Sequence, residues 1–369
     1  MNNTNIRSWH VAGKKVFVRI DGNVPIENGI IQNDFRLQAI LPTLAVLRDG
    51  GAHITIATHV GRPQGKDPAL STKPLKQWFI EHGYGAANVL ENLRFNPGEK
   101  NNDLMFAKEL AQGMDFYVND AWGLLHRHDA SITRMPTLFQ QDKRAFGLLV
   151  HKELQMLSTL KNSPEQPYVV VLGGGKPESK IVALQHLIAA QKPAAIIILP
   201  AITAPFAKAL GLPFGKSLIT HEPLSAATAI IKYAAAHNIK LLLPIDYTYM
   251  NSWEGDLNTC DADKLTTNVI TIGIGPKSIQ LFKPDLMQAA TIFFNGAMGI
   301  PSRPETMKPL HAILRIIAES PAYSVVGGGN SVTEVVNLKL LSAIDYCSTG
   351  GGSTLAYISG GSMPGLEAM

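Results

Sequence analysis

Five arginines and one histidine, Arg19, Arg36, His59, Arg62, Arg94 and Arg127, fall in or near four short phrases rich in turn-forming residues. The phrases are Val18-Arg-Ile-Asp-Gly-Asn-Val-Pro25, Thr58-His-Val-Gly-Arg-Pro63, Glu91-Asn-Leu-Arg-Phe95 and Val118-Asn-Asp-Ala-Trp-Gly123. Taken singly, each arginine could be a solvated surface charge. Gathered on one edge of a sheet, they would bind a small acid carrying carboxylate and phosphate groups, because guanidinium forks engage such groups bidentately. Asp21 and Asn23 fall in the first of these phrases.

A second set of residues suits phosphate held by backbone. Leu172-Gly-Gly-Gly-Lys-Pro-Glu-Ser-Lys180 follows a strand-like run and opens a helical one. Backbone amides and a helix N-terminus then face the same point, with Lys176 and Lys180 four residues apart on one helix face. Val325-Val-Gly-Gly-Gly-Asn-Ser331 and Ser348-Thr-Gly-Gly-Gly-Ser-Thr354 repeat the pattern, so Gly327, Gly328, Gly329, Asn330 and Ser331, and then Gly350, Gly351 and Gly352, form two further amide nests. None of the three has the spacing of a Walker loop or of a dinucleotide fingerprint.

These loops need strands to carry them. Aliphatic runs at Val16 to Ile20 and Ala52 to Thr58 alternate with helical patterns at Arg36 to Asp49 and Pro74 to His82. The rhythm resumes at Tyr168 to Leu172, Ala194 to Leu199, Lys240 to Ile245, Thr291 to Phe294 and Tyr323 to Val326. Strands separated by helix-length segments predict right-handed βαβ units and a mainly parallel sheet, with ligands at the carboxyl edge. The expected class is α/β, with two parallel-sheet, Rossmann-like lobes over residues 1–150 and 165–347. A linker helix joins them at 151–164, where Lys152 to Leu160 is helically periodic and Asn162, Ser163 and Pro164 stop it.

The length of 369 residues also favours two cores over one. With 46% hydrophobic and 17% charged residues, and no uncharged apolar run of membrane-spanning length, the chain reads as a globular protein, expected in the cytoplasm since Met1 to His10 shows no signal pattern. Its two cysteines, Cys260 and Cys347, lack disulfide or zinc spacing, and the net charge of +4 comes without a basic run suited to nucleic acid. A monomer acting on small molecules is the expectation.

The phrases, in their order, resemble the phosphoglycerate kinase family over nearly the whole chain. Arg19 to Pro25 is similar to its signature with Gly22 in place of the usual phenylalanine, and Asn295-Gly-Ala-Met-Gly299 and Gly275-Pro-Lys-Ser278 are similar to further blocks. The resemblance implies the two-lobed fold of that family, and that Asp21, Asn23, Arg36, His59, Arg62, Arg94 and Arg127 hold 3-phosphoglycerate or 1,3-bisphosphoglycerate. It implies that Lys176, Lys180, Asn295 and the glycine loops hold ATP or ADP with Mg2+, and that the lobes close around both. Arg36 and Lys176 would then be the catalytic charges. The ending, Met363 to Met369, looks like a segment that returns to the first lobe, and residues 348–369 are expected to do so.

Departures gather on the nucleotide side. Pro200-Ala-Ile-Thr203 replaces a glycine-containing stretch, Gly273 an aspartate and Ala297 a proline, and the ribose-contacting glutamate is missing from Gly299-Ile-Pro-Ser302. Asn330 stands where the family has the metal-binding aspartate, so it is expected to be a weak metal ligand. In the first lobe, His128-Asp129 replaces Ala-His and adds a negative charge. The resemblance therefore leaves open a kinase for 3-phosphoglycerate, a relative using another phospho-acid or donor, and a phosphoglycerate-binding protein of weak catalysis.

Overall fold

The computed structural model describes residues 5–175, 177–215 and 224–369, so Lys176 lies outside the described residues. The chain forms two compact units, one of residues 1–156 with 362–369 and the other of 157–361.

In the first unit, β1 (Lys15–Ile20), β2 (His53–Ala57), β3 (Asn88–Val89), β4 (Phe116–Asp120) and β5 (Arg144–Phe146) form a parallel sheet in the order β3-β2-β1-β4-β5. Val16 and Val18 are paired with Ile54 and Ile56 on one side and with Phe116 and Val118 on the other. Because both faces of a parallel sheet are covered, β1 after Lys15 reads as an apolar run interrupted only by Arg19. The helix α1 (Phe35–Asp49) lays Leu37, Ile40, Leu44 and Leu47 into the same core, all four essentially inaccessible. Each such side chain stabilises the unit by about 1.5–3 kcal/mol on burial.

The helix α2 (Leu148–Asn162) contains the boundary between the units and begins three residues before the expected linker. Its first turn is held by Asp120, at the end of β4, whose carboxylate accepts a hydrogen bond from the Val150 N–H at 3.1 Å. Gly147 is required beside it, since a Cβ there would overlap that carboxyl group. Burial pushes the Asp120 pKa up to about 7, against the opposing bonds from Thr43, Val150 and Leu149 and helped by the nearby charge of Glu153. A carboxyl whose folded pKa lies above its unfolded value contributes stability below the unfolded value and loses it as pH rises through about 7. Asp120→Asn keeps the acceptor but cannot ionise. Its melting temperature relative to the unsubstituted protein should therefore climb between pH 5 and pH 8 in thermal melts, and a flat difference would place Asp120 as ionised throughout.

In the second unit, β6 (Tyr168–Leu172), β7 (Ala195–Ile198), β8 (Lys240–Leu242), β12 (Thr291–Asn295), β13 (Tyr323–Gly327) and β14 (Tyr346–Ser348) form a parallel sheet in the order β8-β7-β6-β12-β13-β14. A small antiparallel sheet of β9 (Asp246–Met250), β10 (Asn258–Asp261) and β11 (Ile270–Ile274) is inserted between β8 and β12, in the order β10-β9-β11. Nothing in the alternation read above marked it. The expected strand over Lys240 to Ile245 ends at Leu242, because Pro244 has no N–H for the ladder. The expected boundary at 348 also moves. Gly350–Gly352 lead from β14 into a helix at Gly352–Ile358, whose Ile358 carbonyl accepts from Gln191 Nε2 at 2.8 Å, so only residues 362–369 group with the first unit.

In each main sheet the first strand of the unit lies centrally, between the strand that follows it and one from later in the chain. That is the doubly wound order, and the carboxyl ends of β1 and β4, and of β6 and β12, are the switch points where open α/β sheets bind ligands.

Candidate functional site

At the switch point of the first unit, the expected arginine cluster forms around His59. His59 is 1% exposed, and its pKa is held well below the usual imidazole value by burial and then by the guanidinium groups of Arg19, Arg94, Arg127 and Arg36. It is therefore neutral near pH 7 and brings a hydrogen-bonding ring to the site, with the positive charge left to the arginines. Arg36, in the first turn of α1, lies 3.3 Å from the Asp21 carboxylate and donates from Nη1 to the Asn23 carbonyl at 2.9 Å. The Asn23 side-chain oxygen accepts from the Gly61 N–H at 2.9 Å, which ties the loop after β1 to the loop after β2. Arg94 donates to the Gly61 carbonyl at 2.7 Å, and its Nε and Nη2 are buried without a hydrogen bond, as is Nε of Arg127. Arg62 is exposed on the same loop as Gly61. Buried guanidinium nitrogens without hydrogen bonds call for an explanation, and an anionic ligand drawn to them is one.

Arg19 corrects one expectation. Its guanidinium is fully buried and already engaged, with Ser131 Oγ at 2.6 Å, the Ile20 carbonyl at 2.5 Å and Glu99 at 3.3 Å. It is a strut beneath the cluster. Glu99, which also accepts from the Ser131 N–H and hydroxyl, was not found from sequence, since eighty residues separate it from Arg19 and no local pattern marks it. Gly22 is likewise explained by packing, because a Cβ there would meet Thr58 Oγ1 at 3.0 Å and Leu75 at 3.2 Å, and the Gly22 N–H donates to that hydroxyl.

At the switch point of the second unit, the loops after β6, β12, β13 and β14 converge. A Cβ on Gly174 would meet the Ala297 carbonyl at 3.1 Å, one on Gly351 would meet Gly328 Cα at 2.9 Å, and one on Gly327 would meet the Gly350 carbonyl at 3.3 Å. Lys180, on the helix α3 (Pro177–Gln191), donates to the Gly173 carbonyl and points toward the Asn295 carbonyl. Asn295, expected to face nucleotide, is 1% exposed, and its amide donates to the Gly351 carbonyl at 3.0 Å, bracing two loops. The helix α4 (Gly329–Asn337) begins at this point with Gly328 at φ +107°. Asn330 is exposed in its first turn, and the buried Ser331 hydroxyl has no hydrogen bond. Such a group of amides, a helix N-terminus and an unsatisfied hydroxyl suits a phosphate chain.

The family profile described as Phosphoglycerate kinase matches residues 6–83 and 76–361. The phosphoglycerate kinase of Bdellovibrio bacteriovorus is 34% identical over 393 residues, covering 99% of this chain and 96% of that protein, and that of Akkermansia muciniphila is 36% identical over 394 residues, covering 99% and 97%. This chain belongs to the phosphoglycerate kinase family. Among solved structures, the phosphoglycerate kinase from Coxiella burnetii superposes with a TM-score of 0.78 at 30% identity, covering 98% of this chain and 97% of that one. The enzyme from Pyrococcus horikoshii gives 0.80 at 25% identity, with 98% and 96% covered.

Two further departures from the phosphoglycerate kinase pattern have a structural account. Gly273 lies in β11 where a Cβ would meet Thr248 Oγ1 at 2.7 Å and Pro309 at 3.3 Å, so an aspartate does not fit there without movement. Asp129 is 3% exposed and lies 3.7 Å from Arg94, inside the cluster rather than on the surface. Nothing in the structure explains Pro200 to Thr203 or the missing glutamate near Ser302. Among the described residues no three His, Cys, Asp or Glu side chains gather to hold a metal, and no helix is long and apolar enough to cross a membrane.

Proposed function

We infer that this chain transfers a phosphoryl group reversibly between ATP and the carboxylate of 3-phosphoglycerate, giving 1,3-bisphosphoglycerate and ADP. The observation that carries the reading is the set of buried guanidinium nitrogens without hydrogen bonds around neutral His59. A carboxylate acceptor is already a nucleophile, which agrees with a site that offers positive charge and a neutral imidazole rather than a general base. Arg62, Arg94 and Arg127 bind the acid, while Asp21 and Asn23 orient its hydroxyl and carboxyl end. Arg36, held by Asp21, faces the charge that develops on the moving group. Glycine amides beyond Gly327 and Gly350, with Lys176 and Lys180, cradle the nucleotide phosphates.

The residues present fit a nucleotide that brings its own metal. Asn330 offers one neutral oxygen in the first turn of α4, so most ligands of a magnesium ion here come from phosphate and water. When bound, Mg2+ offsets the charge of the phosphate chain. Asn330→Asp adds the carboxylate at nearly unchanged size, and it should lower the KM for Mg-ATP and raise kcat/KM by about tenfold, equal to roughly 1.4 kcal/mol, while the affinity for the acid stays fixed. Flat or reduced kinetics would take Asn330 off the metal.

The reading itself is tested by a coupled assay of the purified protein with 3-phosphoglycerate and a panel of nucleoside triphosphates. ATP-dependent formation of the acyl phosphate is expected. Turnover with another donor alone would reassign the nucleotide, and binding of the acid without turnover on any donor would make the chain a binding protein.

A further inference from the structure

We propose that Asp129 is an internal counter-anion of the acid site, holding Arg94 in the ligand-free protein and setting the affinity for a phosphorylated acid by competing with it. The inference rests on the reading of the arginine cluster as the acid site.

The argument begins with how poorly the pair is matched. Asp129 Oδ2 and Arg94 Nη2 are 3.7 Å apart, beyond hydrogen-bond reach, and both atoms are buried without any hydrogen bond. Its other oxygen lies 4.0 Å from the ammonium of Lys100. Asp129 precedes the short helix Ala130–Thr133 but does not cap it with its side chain. Glu99 in the same cluster behaves differently, for its oxygens accept from Ser131 at 3.0 and 2.6 Å while it pairs with Arg19. Glu99 is locked into the fold; Asp129 is buried, with its Oδ2 lacking any hydrogen bond.

The charges explain why a carboxylate is tolerated there. Arg94 and Arg127 repel one another across the site, and Asp129 offsets that repulsion at Arg94. A phosphate arriving at normal bidentate distance would satisfy the same nitrogens better than a carboxylate held at 3.7 Å. It would also meet the negative charge of Asp129 with little water between them. The ligand class is therefore a phosphate monoester of a small carboxylic acid, bound more weakly than the number of arginines alone would give.

The test is calorimetric titration of the full chain with 3-phosphoglycerate, using Asp129→Asn and Lys100→Ala. Asp129→Asn should bind about tenfold tighter, with a lower KM and no gain in kcat. Lys100 is 55% exposed, so its removal should leave the fold intact while turning Asp129 wholly onto Arg94, weakening binding by about two- to threefold. Equal or weaker binding by folded Asp129→Asn overturns the proposal, as does unchanged or tighter binding by Lys100→Ala, which decides the matter if the first variant does not fold. Binding by the unsubstituted chain that is lost in Arg127→Ala keeps the acid-site reading standing in either case. No binding by the unsubstituted chain overturns both.

Discussion

Arg36→Ala should lower kcat/KM for 3-phosphoglycerate and ATP by about a thousandfold, the scale on which removing one preorganised charge from a developing transition state is felt. The expectation follows from how the side chain is fixed. It leaves the first turn of α1, where Asp21 at 3.3 Å and the Asn23 carbonyl at 2.9 Å hold the guanidinium in one orientation. A group held before the substrate arrives loses little freedom when charge develops. Arg36→Lys keeps the charge but cannot bridge Asp21 and Asn23 with a planar fork, so it should recover only a small part of the loss. Steady-state kinetics with a calorimetric Kd for the acid separates the effects: kcat should fall far more than affinity. Retention of a tenth or more of the activity by the alanine variant would remove Arg36 from the catalytic step.

The second large effect is expected at Gly296, where the loops of the second unit are closest. Its φ of +107° is one that side chains rarely adopt, and a Cβ would strike both the Gly173 carbonyl and the Lys180 ammonium that bonds it. Gly296→Ala combines backbone strain with overpacking, together roughly 3 kcal/mol of lost stability. It also pushes apart the loops after β6 and β12. Nucleotide affinity should fall more than tenfold while 3-phosphoglycerate binding is kept, because the arginine cluster belongs to the other unit. Thermal melts and paired titrations check both halves. A variant that melted normally and bound ATP would mean that the loops can part without consequence.

Much of this was legible in the residue order. Phrases such as Arg19 to Pro25 and Leu172 to Lys180 carry strand, turn and ligand chemistry in a few consecutive residues, so their place at the carboxyl edge of a parallel sheet could be read directly. Strands buried on both faces, such as Tyr168–Leu172, are unbroken apolar runs and announced themselves. The antiparallel sheet of β9, β10 and β11 did not. Asp246–Met250 alternates polar and aromatic residues over only four positions, too short a run to stand out, and Asn258–Asp261 has Cys260 as its sole apolar residue. The support of the arginine cluster was hidden for a different reason. Glu99, Ser131 and Asp129 become neighbours of Arg19 and Arg94 only when the sheet is assembled, and no periodicity links residues so distant along the chain. Asn295 shows the remaining difficulty, since the family resemblance implied a ligand contact whereas the amide is spent on the Gly351 carbonyl.

The buried pair of Arg19 and Glu99 constrains how this sequence can drift. Removing either member alone leaves an uncompensated charge at a fully inaccessible position, a cost of about 3–5 kcal/mol against a total stability of about 5–15 kcal/mol. Exchanging both together for well-packed apolar residues can be nearly neutral by the same reckoning, yet a lineage changing one codon at a time must first pass through the unpaired state. The two positions should thus be inherited as a unit, and their loss in a descendant should appear as a joint replacement accompanied by a change at Ser131.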